Sequence, residues 1–185
     1  MCNQLLALGR EAKVAGVEQL LYALPDRDRA SIVQSLHNLE QTGLAERLDG
    51  NAWLFPHQGK PRLSFSRTWS KPDGVRTDVL ISATLANPRL PDITRLCLAY
   101  GLRRVRGNLD VLIEQEALSP AMIHRLRAML DTIRAGFVTA ARRRYERQLL
   151  RITPCRTVVA TMPGVDQAGE APFASVPAGS ERAPA

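Results

Sequence analysis

Gln34, Asn38 and Gln41 stand four and three residues apart in a stretch, Asp28 to Thr42, where Ile32, Val33, Leu36 and Leu39 recur at helical period. At about 100° per residue, Ile32, Leu36 and Leu39 share one side of such a helix. Gln34, Asn38 and Gln41 fall on the other, with Arg27 beyond its start and Ser31 and His37 at the margins. Primary amides in that arrangement are the side chains that pair with adenine edges in a major groove by two hydrogen bonds. Arg27 and Arg29, at the N-terminal end, are placed to hold phosphates, a contact that fixes position rather than sequence.

The flanking elements decide whether this face can meet DNA. Asn3 to Ala15 reads as a first helix, and a short second one over Val17, Leu20, Leu21 and Leu24 stops before Pro25. Asp26 or Asp28 caps the third, and Gly43 ends it. Two short runs, Leu44–Leu48 and Ala52–Phe55, then flank Asp49-Gly50-Asn51, a hairpin signal closed by Pro56. Three helices followed at once by a two-stranded hairpin is the order of a winged helix-turn-helix. The expected fold is therefore mainly α with a small β-hairpin, its winged unit covering 1–62. Arg47 and Asn51 on the hairpin, with Lys60 and Arg62 just past it, would position the wing on the backbone or minor groove.

Residues 63–77 read as a polar linker and 78–152 as a helical, Arg-rich domain. In that domain Asp78 and Asp92 are expected helix caps, and Ser119-Pro120 opens a long last helix reaching Ile152. Met122, Leu126, Met129, Ile133, Phe137 and Ala140 mark that helix's apolar side. Residues 153–185, rich in Pro, Gly, Ala and Ser, are expected to be a disordered tail.

The chain of 185 residues carries a net charge of +7, unevenly spread. Residues 1–62 hold seven basic and seven acidic side chains, whereas 63–151 hold sixteen and eight. A neutral winged unit gains little non-specific phosphate attraction, so help is expected from Arg103, Arg104 and Arg106 and from Arg142, Arg143, Arg144, Arg147 and Arg151.

Catalytic and cofactor chemistry find no support. There is no Gly-rich phosphate loop, no HExxH and no GxSxG, and Glu114 and Glu116 are two apart on a helix and face different ways. Cys2, Cys97 and Cys155 are far apart, as are His37, His57 and His124, so neither a disulfide framework nor a metal site is expected; Cys97 reads as a core thiol. No apolar run reaches the length of about 18 residues that suggests a membrane span, and Met1 to Lys13 does not read as a secretory leader. The expectation is a cytoplasmic, non-enzymatic protein without cofactor.

The segment DVLISATLANPRLPDITRLCLAYGLRRVRGNLDVL carries a D…L…L…P…D…L…YG…RVR pattern from Asp78 to Arg106. With the N-terminal architecture, it resembles the abortive-infection antitoxins of type IV systems, winged-helix regulators encoded beside nucleotidyltransferase toxins. The resemblance implies a protein that binds its own promoter and opposes a partner toxin. Double-stranded DNA is thus the expected partner of Arg27, Arg29, Ser31, Gln34, Asn38, Gln41, Arg47, Asn51, Arg142, Arg143 and Arg144. A toxin and a second copy of the chain are the protein partners this reading admits. The competing readings are a protein-interaction adaptor and a nucleic-acid-binding accessory subunit, both using the Arg-rich C-terminal helix.

Overall fold

The computed structural model describes residues 2–64 and 76–152, with the side chains of 151 and 152 left aside. The tail expected over 153–185 and most of the linker expected over 63–77 lie outside the described residues. α1 (Cys2–Ala12), β1 (Val14–Gly16), α2 (Val17–Ala23) and α3 (Arg29–Gln41) come first, then β2 (Glu46–Arg47) and β3 (Ala52–Leu54). Four further helices follow: α4 (Thr77–Ala86), α5 (Leu90–Tyr100), α6 (Leu102–Glu114) and α7 (Pro120–Ile152). The protein is mainly helical with a small antiparallel sheet of order β1-β3-β2. Among the described residues no helix is long and apolar enough to cross a membrane.

β1 corrects the expectation of one helix from Asn3 to Ala15. Lys13 takes a positive φ of 63°, which ends α1, and the next three residues pair with β3, Val14 opposite Leu54 and Gly16 opposite Ala52. The amide of Phe55 donates to Lys13 O at 2.8 Å and extends the ladder past its last pair. Ladder bonds to a distant strand outweigh the local helical pattern, as tertiary context commonly does with weak intrinsic preferences.

β3 is buried on both faces, which explains why it reads as an unbroken apolar run. Val14, Ala52 and Leu54 join a core built with α4–α7 around Ile81, Ile93, Leu96, Val105, Leu126 and Ile133. Ala15, Trp53 and Phe55 point the other way, into the core of α1, α2 and α3 around Leu5, Leu20, Ile32 and Leu36. A strand alternates its side chains between faces, so a strand between two cores must be apolar at every position.

α7, 33 residues and about 50 Å long, crosses both halves. Its inward stripe is Leu126, Leu130, Ile133, Phe137 and Ala141, all buried, where the expected stripe had Met129 and Ala140. Both of those are half-buried at the stripe's edge.

Three acids hold helix ends or helix pairs. Ser119 Oγ accepts from the Met122 amide at the start of α7 and Asp28 Oδ1 accepts from the Ser31 amide at 2.7 Å, both in the expected capping roles. Asp78 and Asp92 do something else. Asp78 lies inside α4 and takes two donors from Arg104 of α6, at 3.1 and 2.9 Å. Asp92, fully buried within α5, accepts from Ser64 N and Ser64 Oγ, each at 2.8 Å, and from Arg95.

Gly101 joins α5 to α6 at φ +91°, where an L side chain is strained, and it has no side chain with which to cap α6. Glu46 of β2 supplies the cap from a distance, its Oε1 accepting from the Arg103 amide at 2.8 Å. A Cβ on Gly101 would lie 2.9 Å from Glu46 Oε2, so the glycine is what lets the carboxylate reach the helix end. Burial pushes the Glu46 carboxyl up, against the Arg103 and Leu102 amides and the nearby arginines, which pull it down. The folded state then binds this proton more tightly than the unfolded chain does. Between 4.5, the group's ordinary value, and the raised folded value, stability falls as pH rises. Glu46→Gln keeps an oxygen for the Arg103 amide and loses the ionisation. Urea unfolding from pH 4 to 7 should give a flatter curve for the variant, its relative stability growing toward pH 7. Parallel curves would show that Glu46 does not titrate in this way.

Candidate nucleic-acid interface

The amides expected to read bases lie on open surface. Gln34, Asn38 and Gln41 are all exposed on α3, and Gln34 Nε2 donates to Asn38 Oδ1 at 3.3 Å, so the two stand side by side. Beneath them Ile32, Ser35, Leu36 and Leu39 are buried against α1 and α2. Asp28 holds the start of the helix through both the amide and the hydroxyl of Ser31, contacts that also keep its carboxyl below the usual range. Ser31 is thereby half-buried and occupied as a cap partner.

Three elements meet at the hairpin tip. The Val17 amide donates to Asn51 O at 2.9 Å and ties the tip to the start of α2. Arg29 Nη2 donates to Asn51 Oδ1 at 3.2 Å, while Nη1 pairs with Glu18. Arg29 and Asn51, expected to touch phosphate, are thus linked to each other. Arg27 and Arg47 are exposed, with no ion pair among the described residues.

α7 runs past the same tip. A groove of about 460 Å³ separates them, lined on the hairpin side by Gly50 and Asn51, on α2 by Glu18, and on α7 by Thr139, Arg142 and Tyr145. Arg142 therefore joins Arg29 and Asn51 on one surface, and Arg143, next to it, is also exposed.

Arg144 departs from the expected set. Its side chain is half-buried and Nη1 donates to the backbone carbonyls of Ala12, in close contact, and Val14, at 3.0 Å. It gives partners to the carbonyl at the end of α1 and to one on β1, an edge strand of the sheet. Arg134 does the same for the hairpin, giving Nε to Leu48 O at 2.8 Å. Sequence reasoning did not find Arg134 or Glu18, and only an acid near an arginine-bearing helix in space could have pointed to Glu18.

The arginine cluster of α6 is engaged within the chain. Arg103 pairs with Glu40 at 3.1 Å, Arg104 with Asp78 at 2.9 Å and Arg106 with Asp131 at 2.5 Å. Hence the polar positions of the Asp78–Arg106 pattern hold α4, α6 and α7 together and tie α6 to the C-terminal end of α3. Of the arginines expected to meet DNA, Arg27 before α3, Arg47 on β2 and Arg142 and Arg143 on α7 are exposed with no ion pair among the described residues.

Cys97 sits fully buried in the core, its thiol pushed up to about 12 by desolvation, which makes it a poor nucleophile. Among the described residues no group of His, Cys, Asp and Glu could hold a metal ion. Compared with protein-family models, with curated proteins and with solved structures, the chain has no match in any of the three.

Proposed function

We propose that this chain is a DNA-binding transcriptional regulator whose first 62 residues act as a winged helix-turn-helix, working as an antitoxin-type repressor with a partner toxin. The observation that carries the DNA-binding part is the open face of α3, with Gln34, Asn38 and Gln41 exposed above a buried stripe. The β2–β3 hairpin stands at its N-terminal end, joined through Arg29 and Asn51. The helix and strand order α1-β1-α2-α3-β2-β3 supports the winged assignment, with α3 as the reading helix and 48–51 as the wing tip. Arg27, Arg47, Arg142 and Arg143 supply phosphate contacts in this reading. The antitoxin part rests on the resemblance over Asp78–Arg106, and it requires a nucleotidyltransferase encoded alongside that co-purifies with the chain.

Fluorescence anisotropy with the DNA upstream of the coding sequence, against a random duplex, tests the reading. Upstream DNA should bind at least about a thousandfold more tightly than random duplex at physiological salt. Equal affinity for both would end the repressor reading, and no binding even at low salt would end the DNA-binding one. The double variant Arg142→Gln, Arg143→Gln should flatten the dependence of log K on log salt by up to about two, each lost phosphate contact contributing about 0.9. An unchanged slope would take α7 out of the interface.

A further inference from the structure

Segment 1–62 has as many acids as bases, and where those acids sit decides what its cations can do. Asp28 caps α3, Glu40 pairs with Arg103, Glu46 caps α6, and Asp49 accepts from the Gly50 amide. Glu18 is different, because its carboxylate meets Arg29, an arginine of the expected DNA surface. Arg27 and Arg47, the other arginines of that surface within the segment, have no ion pair among the described residues.

We propose that Glu18 is a built-in competitor for phosphate, which occupies Arg29 in the free protein and yields it to the backbone of a duplex. This inference rests on the DNA-binding reading above and names the residue that regulates its phosphate contact. Arg29 is 56% and Glu18 39% exposed, so both are hydrated and the pair is one that water and salt weaken readily. Asn51 holds the second edge of the guanidinium, and both partners of Arg29, Asn51 and Glu18, line the groove together with Arg142. A phosphate arriving there meets a guanidinium already oriented, and it must displace one carboxylate to take it. The exchange conserves the pairing of Arg29 and leaves Glu18 to water. Every duplex that takes the guanidinium meets this cost, so Glu18 weakens binding by the free energy of one hydrated ion pair whatever the sequence.

The test is salt-titrated binding of a random-sequence duplex to the full chain, as wild type, Glu18→Gln, Arg29→Ala and the double variant. Glu18→Gln should bind about three- to tenfold more tightly at low salt, and the gain should shrink as added salt screens the pair that the wild type has to break. Arg29→Ala should erase that gain, so the double variant behaves as Arg29→Ala alone. Glu18→Ala provides a second variant that should move in the same direction, and circular dichroism checks that each is folded. Weaker or unchanged low-salt binding by Glu18→Gln, while the wild type itself binds, would overturn the proposal and leave the DNA-binding reading standing. Failure of wild type and Glu18→Gln alike to bind any duplex at low salt would overturn both.

Discussion

Replacing Phe55 by Ala should cost about 3–5 kcal/mol of folding stability, since it empties a fully buried ring site. The ring is pressed against Gly9 in the middle of α1, where a Cβ would lie 2.5 Å from Phe55 Cγ. Gly9→Ala should therefore also destabilise, although alanine favours helix over glycine. Overpacking costs about 1–3 kcal/mol against a helix gain of up to about 1 kcal/mol, so a net loss remains. The two changes should not add. With the ring gone, the methyl of Gly9→Ala has room and fills part of the cavity, so the double variant should be more stable than Phe55→Ala alone. Urea unfolding followed by far-ultraviolet circular dichroism measures all four corners of this cycle. Strict additivity would mean that α1 and the end of β3 are not packed as described. The contact matters for function because Phe55 and Trp53 fix α1 against the sheet, and α3 lies on α1.

The second large effect concerns recognition. Gln34→Ala with Asn38→Ala should abolish the preference for upstream over random DNA while leaving salt-dependent binding of both. A two-point amide–adenine contact discriminates against the wrong base by about 1–3 kcal/mol, so losing two removes about 2–6 kcal/mol of specificity, roughly thirtyfold to twenty-thousandfold. Both side chains are exposed and contact each other rather than the core, so stability should change little. Retained preference, measured by competition with random duplex, would show that α3 does not read bases through these amides.

α3 was legible because its signals are local: Asp28 as cap, apolar residues at helical spacing and Gly43 at the end all act within a few residues of one another. Its bounds, Arg29–Gln41, fall inside the expected stretch. The hairpin and α7 were readable for the same reason. β1 was not, because three residues make a strand only by pairing with β3, nearly forty positions away. The same distance hid the tertiary cap of Glu46 on α6 and the close approach of Gly9 to Phe55.

The candidate surface was legible in its residue types and less so in its economy of charge. Reading arginines by their clustering put Arg103, Arg104 and Arg106 together, yet each has an acid from another element beside it. Arg144 looked equivalent to Arg142 and Arg143, but on a helix neighbouring positions point about 100° apart. Position 144 therefore turns inward to Ala12 and Val14 while Arg142 faces the hairpin tip.

The most direct measurement of the central claim is the side-chain amide spectrum of the ¹⁵N-labelled chain during titration with the upstream duplex. The signals of Gln34, Asn38 and Gln41 should move with the bound fraction, and those of Gln115, at the far end of α6, should stay where they are. Saturable binding that leaves the three α3 amides unmoved would contradict the account, whatever the affinity.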